Sequence, residues 1–112
     1  MTALLFFGTP GIAAAILRAV DERRPGEVRA VITQPDKAAG RGGKMTPGPV
    51  KQYATERGLP VHQPIRLRKE LDTLVPALDR HGPYDLGIVV AFGQILPQAM
   101  LDYPRLGCIN IH

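Results

Sequence analysis

Cysteine is nearly absent: Cys108 is the only one in 112 residues. A disulfide framework is excluded on that count, and a reducing, cytoplasmic setting is the expectation. Long apolar runs are missing too. None approaches the ~20 residues that cross a bilayer, so no membrane association is expected. The opening Met1-Thr2-Ala3-Leu4-Leu5-Phe6-Phe7 lacks the basic segment of a secretory signal and enters a Gly-Thr-Pro turn, so it reads as a first strand. There is no internal repeat. Cys108 has no second Cys or His cluster near it, so no metal site is expected, and a small buried hydrophobe is favoured over a metal ligand or thiol nucleophile.

Two nucleotide signatures are also missing. Gly8-Thr9-Pro10-Gly11 stands where a dinucleotide fingerprint would lie, but it lacks the Gly-x-Gly-x-x-Gly spacing. No acidic residue ends the second strand to hold a ribose. A tight strand-to-helix turn is the favoured reading. Gly40-Arg41-Gly42-Gly43-Lys44 superficially suggests a phosphate loop, yet Ala38 stands in place of its first glycine and Met45 in place of the magnesium-binding hydroxyl. Nicotinamide, flavin and ATP sites are set aside.

What is present suits one folded domain: 45% of the residues are hydrophobic and 21% charged, which rules out disordered and fibrous classes. The formal net charge of +4 is unevenly placed. Between Gln34 and Gln52 lie Lys37, Arg41, Lys44 and Lys51 against the single acid Asp36, in a stretch rich in glycine and proline. Charge concentrated in this way attracts polyanions.

Residues 3–7 form a continuous apolar run, as in a strand buried on both faces. Thr9 can cap, and Pro10 can open, a helix in which Ile12, Ala13, Ile16, Leu17 and Val20 recur at helical spacing. Arg23-Arg24-Pro25-Gly26 stops it. Residues 28–33 read as a second strand, closing a right-handed β-α-β unit. Residues 34–48 lack periodicity and read as one long loop, a length that is usually functional or disordered. A helix from Pro49 to about Arg57, a short third strand at Val61, and a helix over residues 67–78 follow. Pro76 should kink or break the last of these. A fourth buried strand spans residues 86–92, a brief helix residues 97–101, and a fifth strand residues 107–111. This alternation predicts an α/β fold with a doubly wound, mostly parallel sheet, in which ligands bind beyond the carboxyl ends of the strands.

Those ends carry the candidate chemistry. On the last strand Asn110 and His112 project to one side, because strand side chains alternate. An amide can stabilise an oxyanion and an imidazole can move protons near neutral pH, a kit suited to acyl transfer. A strand-end histidine with a structural role is the plainer alternative. Phe92-Gly93-Gln94-Ile95-Leu96-Pro97 offers backbone amides and carbonyls to the edge of a flat heterocycle, or is an ordinary strand-to-helix connection. His62 and His81 read as isolated and solvated.

Several segments occur together in order: Phe7-Gly8-Thr9-Pro10, Thr33-Gln34-Pro35-Asp36, Ala39-Gly40-Arg41-Gly42, Thr46-Pro47-Gly48-Pro49-Val50-Lys51, Gly58-Leu59-Pro60-Val61 and Gly107-Cys108-Ile109-Asn110-Ile111-His112. In combination they closely resemble the amino-terminal part of the methionyl-tRNA formyltransferases, over essentially the whole chain. The terminal Asn-x-His and the Phe-Gly-Gln-Ile-Leu-Pro loop are similar to those of the wider 10-formyltetrahydrofolate-dependent enzymes. The resemblance implies a three-layer, Rossmann-like formyltransferase fold, here truncated after the fifth strand, with residues 1–112 an incomplete part of the catalytic domain, the carboxy-terminal domain absent, and the isolated chain inactive. It implies formyl transfer from 10-formyltetrahydrofolate, as co-substrate and without a metal, to the α-amine of initiator methionyl-tRNA in translation initiation. Asn110 and His112 would be catalytic, completed in this family by an aspartate farther along the chain. Phe92, Gly93, Gln94, Ile95, Leu96 and Pro97 would meet the pterin. Lys37, Arg41, Gly42 and Lys44 would meet tRNA, with Arg41 the main contact. Gly11-Ile12 replaces the acidic and aromatic pair common in the family, and Phe92 replaces its usual tyrosine. A nucleic-acid-binding module with an incidental Asn/His pair, or a sugar N-formyltransferase fragment, are the alternatives.

Overall fold

In the computed structural model, which describes residues 1–24, 26–39 and 42–111, β1 (Ala3–Gly8) is buried along its whole length. That is what six residues without a polar face require of a strand covered on both sides. α1 (Gly11–Arg23) follows, with Ala13 and Leu17 on its buried face, and ends at Arg24 in the left-handed region. The chain then forms β2 (Glu27–Ile32), β3 (Lys37–Ala39), β4 (Lys44–Thr46), α2 (Pro49–Glu56) and β5 (Val61–His62). A 3-10 turn at Leu67–Lys69 precedes α3 (Leu71–Asp79), β6 (Leu86–Val90), α4 (Gln98–Leu101) and β7 (Cys108–Asn110).

Five strands form one parallel sheet in the order β5-β2-β1-β6-β7. The chain winds outward from β1 to β5, then crosses back to lay β6 on the other side of β1. The switch point of this doubly wound sheet therefore lies between β1 and β6, where such folds open a crevice. Leu4, Phe6, Val31 and Val90 pack under α1 and α2 through Leu17, Val50 and Tyr53. Leu5, Phe7, Ile32 and Val89 pack on the opposite layer through Leu67, Leu74, Leu78 and Met100. The three-layer α/β expectation is met. Gly8 is needed where α1 approaches the sheet, since a Cβ there would lie 2.7 Å from the Ala13 Cβ and 2.8 Å from the Val90 carbonyl oxygen.

Four local expectations need correction. The stretch 34–48 is not a plain loop: β3 and β4 pair antiparallel as a hairpin, Lys37 opposite Thr46. Each strand is only three residues long, too short for an alternation to show. β6 stops at Val90 because Ala91 turns to φ +47°. Thr9 does not cap α1; Pro10 occupies the cap position without a side-chain bond. α3 runs through Pro76 unbroken. Pro76 is exposed, and the donor it lacks would have met the Asp72 carbonyl. That costs about 3 kcal/mol. Burial of Leu74 and Leu78 on the inner side contributes about 1.5–3 kcal/mol each and offsets it.

Candidate active site

Three strand ends are tied together by one hydroxyl. Thr9, just past β1, donates from Oγ1 to the Phe92 carbonyl (2.9 Å), and the same oxygen accepts from the Gln34 backbone N–H (3.3 Å). The termini of β1, β2 and β6 thus meet at a single side chain, on the carboxyl side of the switch point.

The loop after β6 is locked from beneath. Ala91 holds its left-handed φ at a strain of about 1–2 kcal/mol and turns the chain so that Phe92 drops into the core. The Phe92 ring packs edge-on against Phe7, with centroids 5.8 Å apart. Gly93 follows at φ +92°, and a Cβ there would lie 2.7 Å from Gln34 Nε2. The Gln94 amide is fully engaged: Nε2 donates to Gln34 Oε1 (2.7 Å) and the Pro64 carbonyl (2.9 Å), and Oε1 accepts from the Leu67 N–H (2.7 Å). Leu96 packs against the core layer under α3 and α4. Pro97 caps α4. Ile95 is left 74% exposed, an aliphatic side chain offered outward.

Asn110 ends β7 opposite Val89, and the Ile111 N–H continues the ladder onto the Val89 carbonyl (2.8 Å). Asn110 is exposed and lines two cavities. One, of about 430 Å³, lies toward α1 and is walled by Ile12, Ile16, Val90, Phe92 and Ile111. The other, of about 260 Å³, lies toward α4 and is walled by Leu96, Leu101 and Cys108. His112 lies outside the described residues. Cys108 is half-buried, and burial pushes its thiol up, with Asp102 adding to the shift. Among the described residues no three His, Cys, Asp or Glu side chains gather as a metal set, and no helix is long and apolar enough to cross a membrane. His62 is not simply solvated: it sits in β5, its Nε2 is buried without a partner, and burial lowers its pKa.

The basic hairpin stands beside this platform. Lys37 and Gly42 are exposed, as are Lys44, Met45 and Thr46; Arg41 lies outside the described residues. Its root is fixed. Lys51 Nζ donates to both Asp36 carboxylate oxygens (3.0 Å each), and Gln63 Nε2 donates to Asp36 Oδ1 (2.7 Å) and the Gln34 carbonyl (3.2 Å). Hydrogen bonds from Gln63 and then Lys51 hold the Asp36 carboxyl below its ordinary range.

A family model described as formyl transferase matches residues 1–112. The chain belongs to the formyl transferase family. Within it, the chain is 48% identical over 109 residues to a methionyl-tRNA formyltransferase of Thermosynechococcus vestitus, with 97% of the chain and 32% of that protein covered. It is 52% identical over 110 residues to one of Chromohalobacter salexigens, with 97% and 32% covered, and 53% identical over 114 residues to one of Ectopseudomonas mendocina, with 97% and 33% covered. The chain spans about a third of the length of these curated relatives. A solved phosphoribosylglycinamide formyltransferase of Coxiella burnetii superposes with a TM-score of 0.66 at 20% identity, covering 100% of this chain and 51% of that one, and shares the fold. In this formyl transferase the clamp made by Thr9, Gln34 and Gln63 escaped sequence reasoning. Glutamine and threonine in loops carry no periodicity; the segments Phe7-Gly8-Thr9-Pro10 and Thr33-Gln34-Pro35-Asp36 marked Thr9 and Gln34, and nothing marked Gln63.

Proposed function

We propose that this chain carries the part of a methionyl-tRNA formyltransferase site that holds the formyl group during its transfer from 10-formyltetrahydrofolate to the α-amine of initiator methionyl-tRNA. The observation that carries the reading is that the exposed Asn110, at the end of β7, lines two cavities. A group transfer needs one stabilising donor reachable from donor and acceptor sides at once. The relatives' names point to methionyl-tRNA as the acceptor, and the folate donor follows from the resemblance of the Phe92–Pro97 loop to those of 10-formyltetrahydrofolate-dependent enzymes.

The amine nitrogen attacks the formyl carbon, the carbon–N10 bond of the folate breaks, and the amine proton is passed on to the leaving nitrogen. Asn110 Nδ2 donates to the formyl oxygen as it gains charge. His112 handles the proton through its imidazole. The locked loop from Phe92 to Pro97 presents Gly93, Ile95 and its backbone to the pterin. Its rigidity serves this role, because a pre-formed edge loses little entropy on binding. Lys37, Arg41, Gly42 and Lys44 receive the tRNA, and Arg41 offers the fork that pairs with phosphate or base edges.

The test is formylation of methionyl initiator tRNA by the complete protein with 10-formyltetrahydrofolate, compared with elongator methionyl-tRNA and a nucleotide-sugar amine. Formylmethionyl-tRNA as the favoured product is expected. Transfer to the sugar amine alone, or to neither, overturns the reading.

A further inference from the structure

The hairpin has three-residue strands and exposed side chains at Lys37, Lys44, Met45 and Thr46. So small a two-stranded unit has little packing of its own to set its direction. Direction must come from the root, and both sides of the root are held. On the entry side Asp36, directly before β3, takes three charge-assisted hydrogen bonds, two from Lys51 of α2 and one from Gln63 beyond β5. On the exit side Gln52 Nε2 donates to the Pro47 carbonyl (3.1 Å).

The same bonds continue toward the loop after β6. The second Nε2 hydrogen of Gln63 reaches the Gln34 carbonyl, the Gln34 side chain receives Gln94, and Gln94 holds Pro64 and Leu67. Lys51, Asp36, Gln63, Gln34 and Gln94 form one unbroken chain from hairpin root to loop. We infer that Gln63, with Asp36 and Lys51, is a positioning group for the acceptor: it fixes the hairpin relative to the Phe92–Pro97 loop, so that a nucleic acid held on Lys37 and Lys44 meets Asn110 in one register. The inference rests on the formyl-transfer reading above. Gln63 acts on the acceptor's placement and touches neither substrate.

The experiment uses the complete protein and compares wild type, Gln63→Leu and Lys51→Met in steady-state formylation of methionyl initiator tRNA. KM for tRNA should rise about tenfold, the scale of removing one charge-assisted hydrogen bond. KM for the folate and kcat should stay within about twofold, a split that general loss of folding does not give. In a background of Lys37→Ala, Arg41→Ala and Lys44→Ala, Gln63→Leu should add little, because all these changes act through the hairpin. An unchanged KM for tRNA, an equal rise in both KM values, or full additivity overturns the inference. Should Gln63→Leu fail to fold, Lys51→Met decides alone. Fluorescence anisotropy with labelled initiator tRNA, without folate, separates this inference from the one beneath it. A wild type that binds tRNA but transfers no formyl group sinks the transfer reading, and the ratio of wild-type to variant affinity then decides the positioning role.

Discussion

Two segments that leave the strands on either side of β1 are held in opposite ways. The Phe92–Pro97 loop is bound at every other residue: Phe92 is in the core, Leu96 belongs to the core layer of α3 and α4, and Gln94 satisfies three partners at once. The β3–β4 hairpin is bound at its base, and above it Lys37, Ala38 and residues 42–46 are exposed. The difference matches what each would meet under the proposed function. A small flat molecule is recognised by an edge fixed in advance. A large polyanion is attracted over distance by charge, and an arm that extends its lysines into solvent serves that better. Asn110 is exposed at the end of β7 and lines cavities toward α1 and toward α4.

The largest effect should come from that residue. Asn110→Ala in the complete protein removes one oxyanion donor and should lower kcat by about 10²–10³. KM values for both substrates should change little, because the donor acts as charge develops. Single-turnover formylation checks this, and a variant with near-normal kcat would make Asn110 structural. Next is the locked loop. Gly93→Ala places a side chain at φ +92° and a Cβ 2.7 Å from Gln34 Nε2, whose amide is held by Gln94. A cost of about 1–3 kcal/mol in stability is expected, with a rise in KM for folate and none for tRNA. Urea denaturation together with both KM values decides; a neutral outcome would mean that the loop is looser than its hydrogen bonds imply.

Much of the platform was legible in the sequence, and the reason differs by element. β1 and β6 stand out because strands buried on both faces carry unbroken apolar runs. α1 shows its 3.6-residue period through Ala13 and Leu17. Asn110 was singled out because alternate strand residues share a face, and the structure places it exposed at the end of β7. The hairpin was not legible, since three-residue strands joined through glycines at φ +88° and +63° leave no pattern. Nor was the role of Thr9, read as a helix cap. Its partners Phe92 and Gln34 are distant in sequence, and only the sheet order brings them together. Local rules saw the strands; the bonds between strand ends belong to topology.

On the hairpin side, Arg41→Ala should raise KM for tRNA about tenfold or more and leave the folate KM alone. Lys44→Ala should do less, because an ammonium contact is geometrically less demanding. The salt dependence of tRNA binding should flatten by roughly one unit of slope for each phosphate no longer neutralised. Titration of affinity against salt measures this directly. Equal tRNA kinetics for wild type and Arg41→Ala would move recognition away from the hairpin.

The smallest effect is the most selective for the contrast between the two segments. The Phe92–Pro97 loop is held by neutral amides, which do not titrate. The hairpin root is held by the Asp36 carboxylate, lowered from the ordinary aspartate value of 3.8 by the hydrogen bonds of Gln63 and Lys51. A carboxylate whose folded pKa lies below its unfolded value contributes stability that is present above the unfolded value and lost as pH falls through the folded one. Acid should therefore loosen the hairpin before the loop. Amide exchange from about pH 5 to about pH 2.5, corrected for intrinsic rates, reads the two separately. The Leu67 amide, bonded to Gln94 Oε1, reports on the loop, and amides of the β3–β4 ladder report on the hairpin. Ladder protection should fall below about pH 4 while Leu67 remains protected, and in Asp36→Asn the ladder should be weakly protected at every pH. Loss of both signals together would show that acid unfolds the sheet as a whole and that the two segments are not held independently.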